Sequence, residues 1–291
     1  MPRPDPNRPD PLRPILGAGV CWLLYRVFLF LLVPIVQFFG GEMMAVTVPQ
    51  LLAAGLAAAI AMAIFESRPL QETGLGWQKG WLRNLLTGTA LAAGGACVVV
   101  MAALLLGMAS FRGVANSDIS FGAALFTPVL LFCGAAGEEI AFRGFTLQYL
   151  VRGYGAWVVV PGMGILFGLL HADNPGATAL GVANTVGFGI LFGFAVLRTH
   201  DLWLAIGLHF GWNVALPFLG VGLSGLTIRV TGYELSWKAG ELWSGGRYGP
   251  EASILTTGVL VLLTVAVWRI PVKKGWAYLL EPVSDSTPSA A

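Results

Sequence analysis

Residues 121–143 read FGAALFTPVLLFCGAAGEEIAFR, an apolar run that ends in two adjacent glutamates and an arginine. The uncharged part, Phe121–Gly137, is nearly long enough to cross the hydrocarbon core of a bilayer as an α-helix. Ionisable side chains are costly at membrane depth, and those that occur there usually serve a function. On a helix Glu139 and Arg143 lie four residues apart and can pair, which leaves Glu138 free to face a cavity.

The rest of the chain has the composition of a protein that crosses the membrane several times. Of its 291 residues, 56% are hydrophobic and only 11% are charged, whereas soluble domains carry about 25% charged residues. We predict an all-α fold, a polytopic transmembrane helix bundle of about eight helices. The predicted spans are Ile15–Phe38, Met43–Phe65, Leu85–Met108, Phe121–Gly137, Trp157–Leu170, Thr178–Leu197, Leu202–Leu219 and Ser253–Ile270. We expect the helix of the fourth span to continue to Val151.

The distribution of positive charge predicts that both termini are cytosolic. Lys and Arg concentrate in cytosolic loops, and this orientation places twelve of them in cytosolic segments and four in the segments opposite. We expect residues 1–14 to form a disordered cytosolic tail, residues 15–270 a transmembrane domain with its motif core at 121–219, and residues 271–291 a second cytosolic tail. A compact chain rich in Gly, Ala and Val is typical of a bacterial plasma-membrane protein. The net charge of +2 gives no reason to expect nucleic acid as a partner.

Two further motifs place histidines on apolar helices. His171 ends the apolar stretch that begins at Phe167, and His209 stands four residues before Asn213, so one helix face presents both His209 and Asn213. A lone histidine of this kind is more often structural than catalytic. Such a histidine–asparagine pair can equally form a hydrogen bond between helices.

The spacing of the motifs nevertheless predicts that they meet in one polar cavity. Glu138 and His171 lie at similar distances before and after a turn expected at 153–155, so an antiparallel hairpin places them at one depth. His209 lies about two helical turns from the cytosolic start of its helix, or roughly 12 Å. We therefore expect the three side chains to share a cavity in the cytosolic half of the membrane.

A glutamate, two histidines and an asparagine allow two routes to hydrolysis. In one, Glu138 takes a proton from water while the histidines and Asn213 hold the water and stabilise the oxyanion. In the other, Glu138, His171 and His209 bind a divalent metal such as zinc, which lowers the pKa of a bound water. The chain has neither the GxSxG motif of many serine hydrolases nor the HExxH motif of zinc proteases.

Taken together, the motifs resemble those of a known family. Glu138-Glu139-x-x-x-Arg143, Phe167-x-x-x-His171 and His209-x-x-x-Asn213, in this order, are similar to the three motifs of the CPBP family. That family comprises type II CAAX prenyl endopeptidases and bacteriocin-processing or self-immunity proteins, and is also called the Abi family. The resemblance covers roughly residues 121–219 and implies eight membrane helices, with the site between the fourth, fifth and seventh.

The resemblance also implies a role for each motif residue. It implies that Glu138 activates water and that Glu139 and Arg143 orient it and support the helix. The residues that would line the site and bind the oxyanion or a metal are His171, His209 and Asn213.

Three classes of function are open to such a chain. The first is an endopeptidase that cuts a membrane-associated peptide or protein, with the lipid bilayer as its surroundings. The second is a non-catalytic immunity or accessory protein of the same fold. The third is a transporter or channel, against which stand the lack of internal repeats and the confinement of polar residues to one depth. We expect Arg26, inside the first span, to snorkel or to pair with a polar neighbour rather than to bind substrate.

Overall fold

The structure, a computed structural model, describes residues 10–114 and 121–282. Over these ranges it is a helical bundle with little sheet, which confirms the predicted all-α class. The helices are α1 Leu12–Glu66, α2 Trp81–Leu105, α3 Phe121–Arg143, α4 Phe145–Tyr154, α5 Ala156–Leu170, α6 Ala179–Thr199, α7 Trp203–Phe218, α8 Glu241–Ser244 and α9 Ile254–Arg269.

Four stretches of the described chain are long and apolar enough to cross a membrane. They are Leu12–Glu66, Trp81–Leu105, Ala124–Tyr154 and Ala179–Thr199, and two shorter apolar helices are Ala156–Leu170 and Ile254–Arg269. The chain is therefore a multi-pass membrane protein. Residues 1–9 and 283–291, which belong to the two expected tails, lie outside the described residues.

Helix α1 consists of two arms that contain the first two predicted spans. Gly41 interrupts it with φ 77° and ψ −177°, a conformation that glycine adopts readily because it has no Cβ. The Nη2 of Arg13 donates to the Phe65 carbonyl oxygen at 2.6 Å, so the start of the first arm lies beside the end of the second. The arms therefore run back along each other.

Helices α2 and α7 pack with their backbones almost in contact. A Cβ on Gly207 would lie 2.2 Å from the Leu85 carbonyl oxygen, and one on Gly211 would lie 2.3 Å from that of Thr89. Small residues permit such close approach between membrane helices. This packing fixes the position of α7, which carries two of the predicted site residues.

The helix of the fourth span continues past the acidic pair and beyond Val151, as expected, but it breaks once, at Gly144. This residue has φ −69° and ψ −120° and separates α3 from α4. A Cβ there would lie 2.4 Å from the Ile140 carbonyl oxygen, so glycine permits the bend. The chain then turns at Gly155, with φ 81°, and α5 begins at Ala156.

The two ends of the described chain lie on one face of the bundle. Arg152, at the end of α4, bonds to Glu66 at 3.0 Å and donates to the Tyr278 carbonyl oxygen at 2.7 Å. Farther along that face, the Gly275 N–H donates to the Thr199 carbonyl oxygen at 2.6 Å. Residues 271–281 thus lie against the bundle, in a segment that we expected to be a tail.

A two-stranded antiparallel sheet lies beyond the ends of α2 and α7 on the opposite face. Strand β1 is Ala109–Gly113 and strand β2 is Tyr233–Trp237, with Ala109 opposite Trp237. It ties the segment after α2 to the long segment between α7 and α9. Nothing in the helical periodicity of the sequence predicted this sheet.

Candidate active site

A cavity of about 750 Å³ contains four of the six predicted site residues. Those four are Glu138, His171, His209 and Asn213. Both arms of α1 contribute to the wall, as do α3, α5, α6, α7, the segment 223–228 and Glu251. The last two belong to the face opposite the termini, so the cavity extends farther toward that face than the expected position in the cytosolic half.

Glu138 occupies the centre of the polar group. Its Oε2 lies 3.9 Å from the Nε2 of His171 and 3.9 Å from the Nε2 of His209. That oxygen is buried and has no hydrogen-bond partner among the described residues. Because hydrogen bonds to carboxylates span about 2.7–2.9 Å, both gaps are about 1 Å too long for direct bonds.

The other ring nitrogens fix the tautomer of each histidine. The Nδ1 of His171 lies 2.8 Å from the Phe167 carbonyl oxygen, and the Nδ1 of His209 lies 2.8 Å from Oε1 of Glu139. A carbonyl or carboxylate oxygen only accepts, so both Nδ1 atoms carry a proton and donate it. In the neutral rings each Nε2 is then an acceptor, and both Nε2 atoms face Glu138.

Glu139 and Arg143 form a buried ion pair beside the cavity. Arg143 Nη1 lies 3.1 Å from Glu139 Oε1, and both side chains are 0% exposed. Arg143 Nη2 donates to the Gly189 carbonyl oxygen at 3.0 Å, and the guanidinium lies 4.4 Å from the Phe167 ring centroid. The pair thus links α3 to α5 and α6. Glu139 has no access to water in the cavity.

Aromatic rings hold the imidazoles in place. His209 stacks on Phe192 with ring centroids 5.0 Å apart and an interplanar angle of 14°. Phe167 lies edge-on to His209 at 6.0 Å and packs against His171 at 4.5 Å. These contacts leave each imidazole little freedom to turn, which favours a single orientation of each Nε2.

Asn213 lies one helical turn beyond His209 on α7 and lines the same cavity. Its side chain is half-buried. An asparagine amide offers two hydrogen-bond donors and one acceptor oxygen. Asn213 can therefore donate to a group bound beside Glu138.

Sequence reasoning missed Glu251, a third carboxylate in the cavity wall. It lies in the short turn Pro250–Ala252 before α9 and is 8% exposed. It accepts hydrogen bonds from Trp212 Nε1 at 3.3 Å and Ser224 Oγ at 3.1 Å. Burial raises the pKa of Glu251 above its ordinary value. No signal in the sequence distinguishes it from a surface glutamate, because it follows Gly-Pro in a polar stretch.

The donor types at the site suit a divalent metal, but their spacing does not. Two imidazole Nε2 atoms and a carboxylate are ligands that zinc accepts. Ligands about 2.0–2.1 Å from a tetrahedral ion lie roughly 3.4 Å from one another, whereas Glu138 stands 3.9 Å from each imidazole. Within residues 10–114 and 121–282, no three His, Cys, Asp or Glu side chains form a metal-binding group. We assign no step to a metal ion.

The fold and the site together define a multi-pass membrane protein with a glutamate and two histidines around an internal cavity. Residues 120–215 match the family described as Type II CAAX prenyl endopeptidase Rce1-like, and all six predicted site residues lie in the matched segment. The match confirms the predicted resemblance to CAAX proteases of the CPBP family over this third of the chain. No curated protein matches the chain.

Proposed function

We propose that the chain is an intramembrane endopeptidase that hydrolyses a peptide bond in a membrane-associated protein or peptide. The observation that supports it best is the convergence of Glu138 Oε2 with the Nε2 atoms of His171 and His209. All three groups line a cavity large enough for a segment of peptide. The match to CAAX endopeptidases supports the same reaction class.

A water molecule between these groups would satisfy them. Glu138 Oε2 and the two Nε2 atoms are three acceptors that face one gap, and the carboxylate oxygen has no donor among the described residues. A water between them can donate a hydrogen bond to two of these three acceptors. One further proton, shared among the three groups and the water, satisfies the remaining acceptor. The separations of 3.9 Å leave room for such a bridging molecule.

Glu138 is the base in the proposed reaction. It takes a proton from the water as the water oxygen bonds to the carbonyl carbon of the substrate. The carbonyl oxygen becomes an oxyanion, which accepts hydrogen bonds from the Asn213 amide and from a protonated imidazole Nε2. When the C–N bond breaks, Glu138 passes its proton to the leaving amine. The products are a new carboxyl terminus and a new amino terminus.

Glu139 and Arg143 position the reacting groups and do not touch the substrate. Glu139 accepts the Nδ1 proton of His209, which keeps its Nε2 directed at the cavity. Arg143 holds the Glu139 carboxylate in place by pairing with it at 3.1 Å. The two adjacent glutamates therefore have different roles. Glu138 lines the cavity, whereas the side chain of Glu139 is fully buried.

We place this activity in a plasma membrane, with the termini on the cytosolic side. The described ends of the chain share one face of the bundle, and the excess of Lys and Arg favours that face as cytosolic. The bilayer surrounds the enzyme, and the substrate is a membrane-associated chain.

A comparison of protein termini tests the proposal. Membranes from cells that make the wild type or the Glu138→Ala variant, at matched levels of folded protein, are analysed for new amino and carboxyl termini by mass spectrometry. Termini present only with the wild type support proteolysis and identify the substrate. Identical termini in the two samples would contradict the proposal and favour a non-catalytic accessory protein.

A further inference from the structure

Arg26 lies in the middle of the first arm of α1, and with that arm centred in a bilayer its side chain would not reach either membrane surface. It lies fourteen positions from Leu12 at one end of the arm and fourteen from Gly40 at the other. At 1.5 Å per residue each end is about 21 Å away. The middle of a bilayer is about 15 Å from the edge of the hydrocarbon core, which is farther than an arginine side chain extends.

The side chain of Arg26 instead faces the cavity that contains Glu138. It is exposed, and none of the ion pairs formed by the described residues includes it. The sequence-based expectation of a polar neighbour as its partner is therefore not met within this part of the chain. A cation at this depth is costly unless an anion compensates it.

Arg26 is also the one Lys or Arg among the described residues that line the cavity. The carboxylates of that lining are Glu42, Glu138 and Glu251. An anionic group that enters the cavity is repelled by these carboxylates and attracted to Arg26, the permanent cation of the described lining, so its binding position is restricted. The guanidinium offers a planar fork of donors that matches a carboxylate with two parallel hydrogen bonds.

We propose that Arg26 binds a carboxylate of the peptide substrate and thereby sets how the peptide lies relative to Glu138. This inference rests on the proposed function, since it names a chemical feature of that substrate. The carboxylate is either the free carboxyl terminus or an acidic side chain, and both offer the same two oxygens. Arg26 takes no part in bond breaking, so it acts on affinity and on placement.

A binding measurement tests this without requiring cleavage. The wild type in phosphatidylcholine nanodiscs is titrated with tritiated N-acetyl-Leu-Leu-Leu as the free acid and as the carboxamide. A third probe, N-acetyl-Leu-Glu-Leu-amide, carries its only carboxylate on a side chain. We expect one carboxylate probe, or both, to bind about tenfold more tightly than the carboxamide, because a hydrogen-bonded ion pair is lost without the charge.

Variants then assign the preference to Arg26. Arg26→Met is expected to bind the carboxylate probes no better than the carboxamide, and Arg26→Lys to keep part of the preference. The matched control is Arg269→Met, which removes an exposed arginine outside the cavity and should leave the preference intact. Equal affinity for all three peptides in the wild type, or a preference that survives Arg26→Met, would overturn the inference.

Two further measurements distinguish this inference from its alternatives. Dodecyl phosphate is titrated in the same way; if its binding depends on Arg26 while neither carboxylate peptide competes, the site holds a lipid headgroup and the inference is wrong. The Glu138→Ala variant should retain the preference for carboxylate although it cleaves nothing. A failure of the proposed hydrolysis is thus visible separately from a failure of carboxylate binding.

Discussion

Nδ1 of His209 lies 2.8 Å from Oε1 of Glu139, although seventy positions separate the two residues in the chain. This bond joins α3 to α7 beside the cavity, and the same oxygen of Glu139 lies 3.1 Å from Arg143. The orientation of an imidazole that faces the proposed water site thus depends on a buried ion pair. Activity and stability should consequently respond differently to substitutions on the two sides of this bond.

Arg143→Met is expected to lower the free energy of unfolding by about 3–5 kcal/mol, because it leaves the buried Glu139 charge without its arginine partner. Thermal or denaturant unfolding in detergent micelles measures this. The control is Arg112→Met, which removes an exposed pair with Glu234 and should cost less than about 1 kcal/mol. Equal stability of Arg143→Met and the wild type would contradict the role given to the pair.

The His209→Asn variant separates the contributions of the two imidazole nitrogens. The asparagine amide can replace Nδ1–H as donor to Glu139, but it has no atom at the Nε2 position. We expect stability to change by less than about 1 kcal/mol and cleavage to fall by a factor of about 100 or more. His209→Leu removes both nitrogens and should lose stability as well. Cleavage at the wild-type rate by His209→Asn would exclude Nε2 from the reaction.

Gly211→Ala tests whether the position of α7 depends on its contact with α2. The new Cβ would lie 2.3 Å from the Thr89 carbonyl oxygen, so the helices must separate, at a cost of about 1–3 kcal/mol. Cleavage should fall with stability, since α7 carries His209. Gly94→Ala on α2 is the matched control, because nothing lies within 4 Å of its added Cβ. Similar melting of both variants would refute the tight packing.

The stability of the fold should depend on pH through Asp201, which lies between α6 and α7. Burial raises the pKa of this carboxyl from 3.8 to about 6. The folded state therefore holds the proton more tightly than the unfolded state, and the resulting stability is fully present below pH 3.8. It is lost as pH rises toward about 6 and stays constant above that value. The total is at most about 3 kcal/mol.

The Asp201→Asn variant isolates this contribution. Its amide should melt lower overall, because an NH₂ group would face Asn84 Nδ2, which now donates to Asp201 at 2.6 Å. The difference between wild type and variant should nevertheless shrink steadily from pH 4 to pH 6, across the interval between the two pKa values. A difference that is constant with pH would show that Asp201 titrates alike in both states.

The sequence was most informative where helical geometry alone decides which side chains meet. Glu139 and Arg143 pair at 3.1 Å as their spacing predicted. Glu138 and His171, placed at one depth by counting from the turn, lie 3.9 Å apart. The first result needs only one turn of α3, and the second holds although the helix breaks at Gly144, between Glu138 and the turn.

Contacts made by irregular segments could not be predicted in the same way. Glu251 reaches the cavity through a turn whose path depends on Ser224 and Trp212. The sheet between β1 and β2 joins segments more than a hundred residues apart, and no periodicity reports such pairing. The position of Arg26 in its span was readable, but the absence of an ion-pair partner in the described chain required coordinates.

Cleavage in ¹⁸O-labelled water tests whether Glu138 activates water for peptide hydrolysis. The purified wild type and Glu138→Gln, which keeps the shape of the side chain without its basicity, are incubated in nanodiscs with the substrate identified from the termini. We predict one ¹⁸O atom in the new carboxyl terminus made by the wild type, and a rate for folded Glu138→Gln lower by a factor of about 100 or more. Cleavage by Glu138→Gln at the wild-type rate would exclude Glu138 as the base.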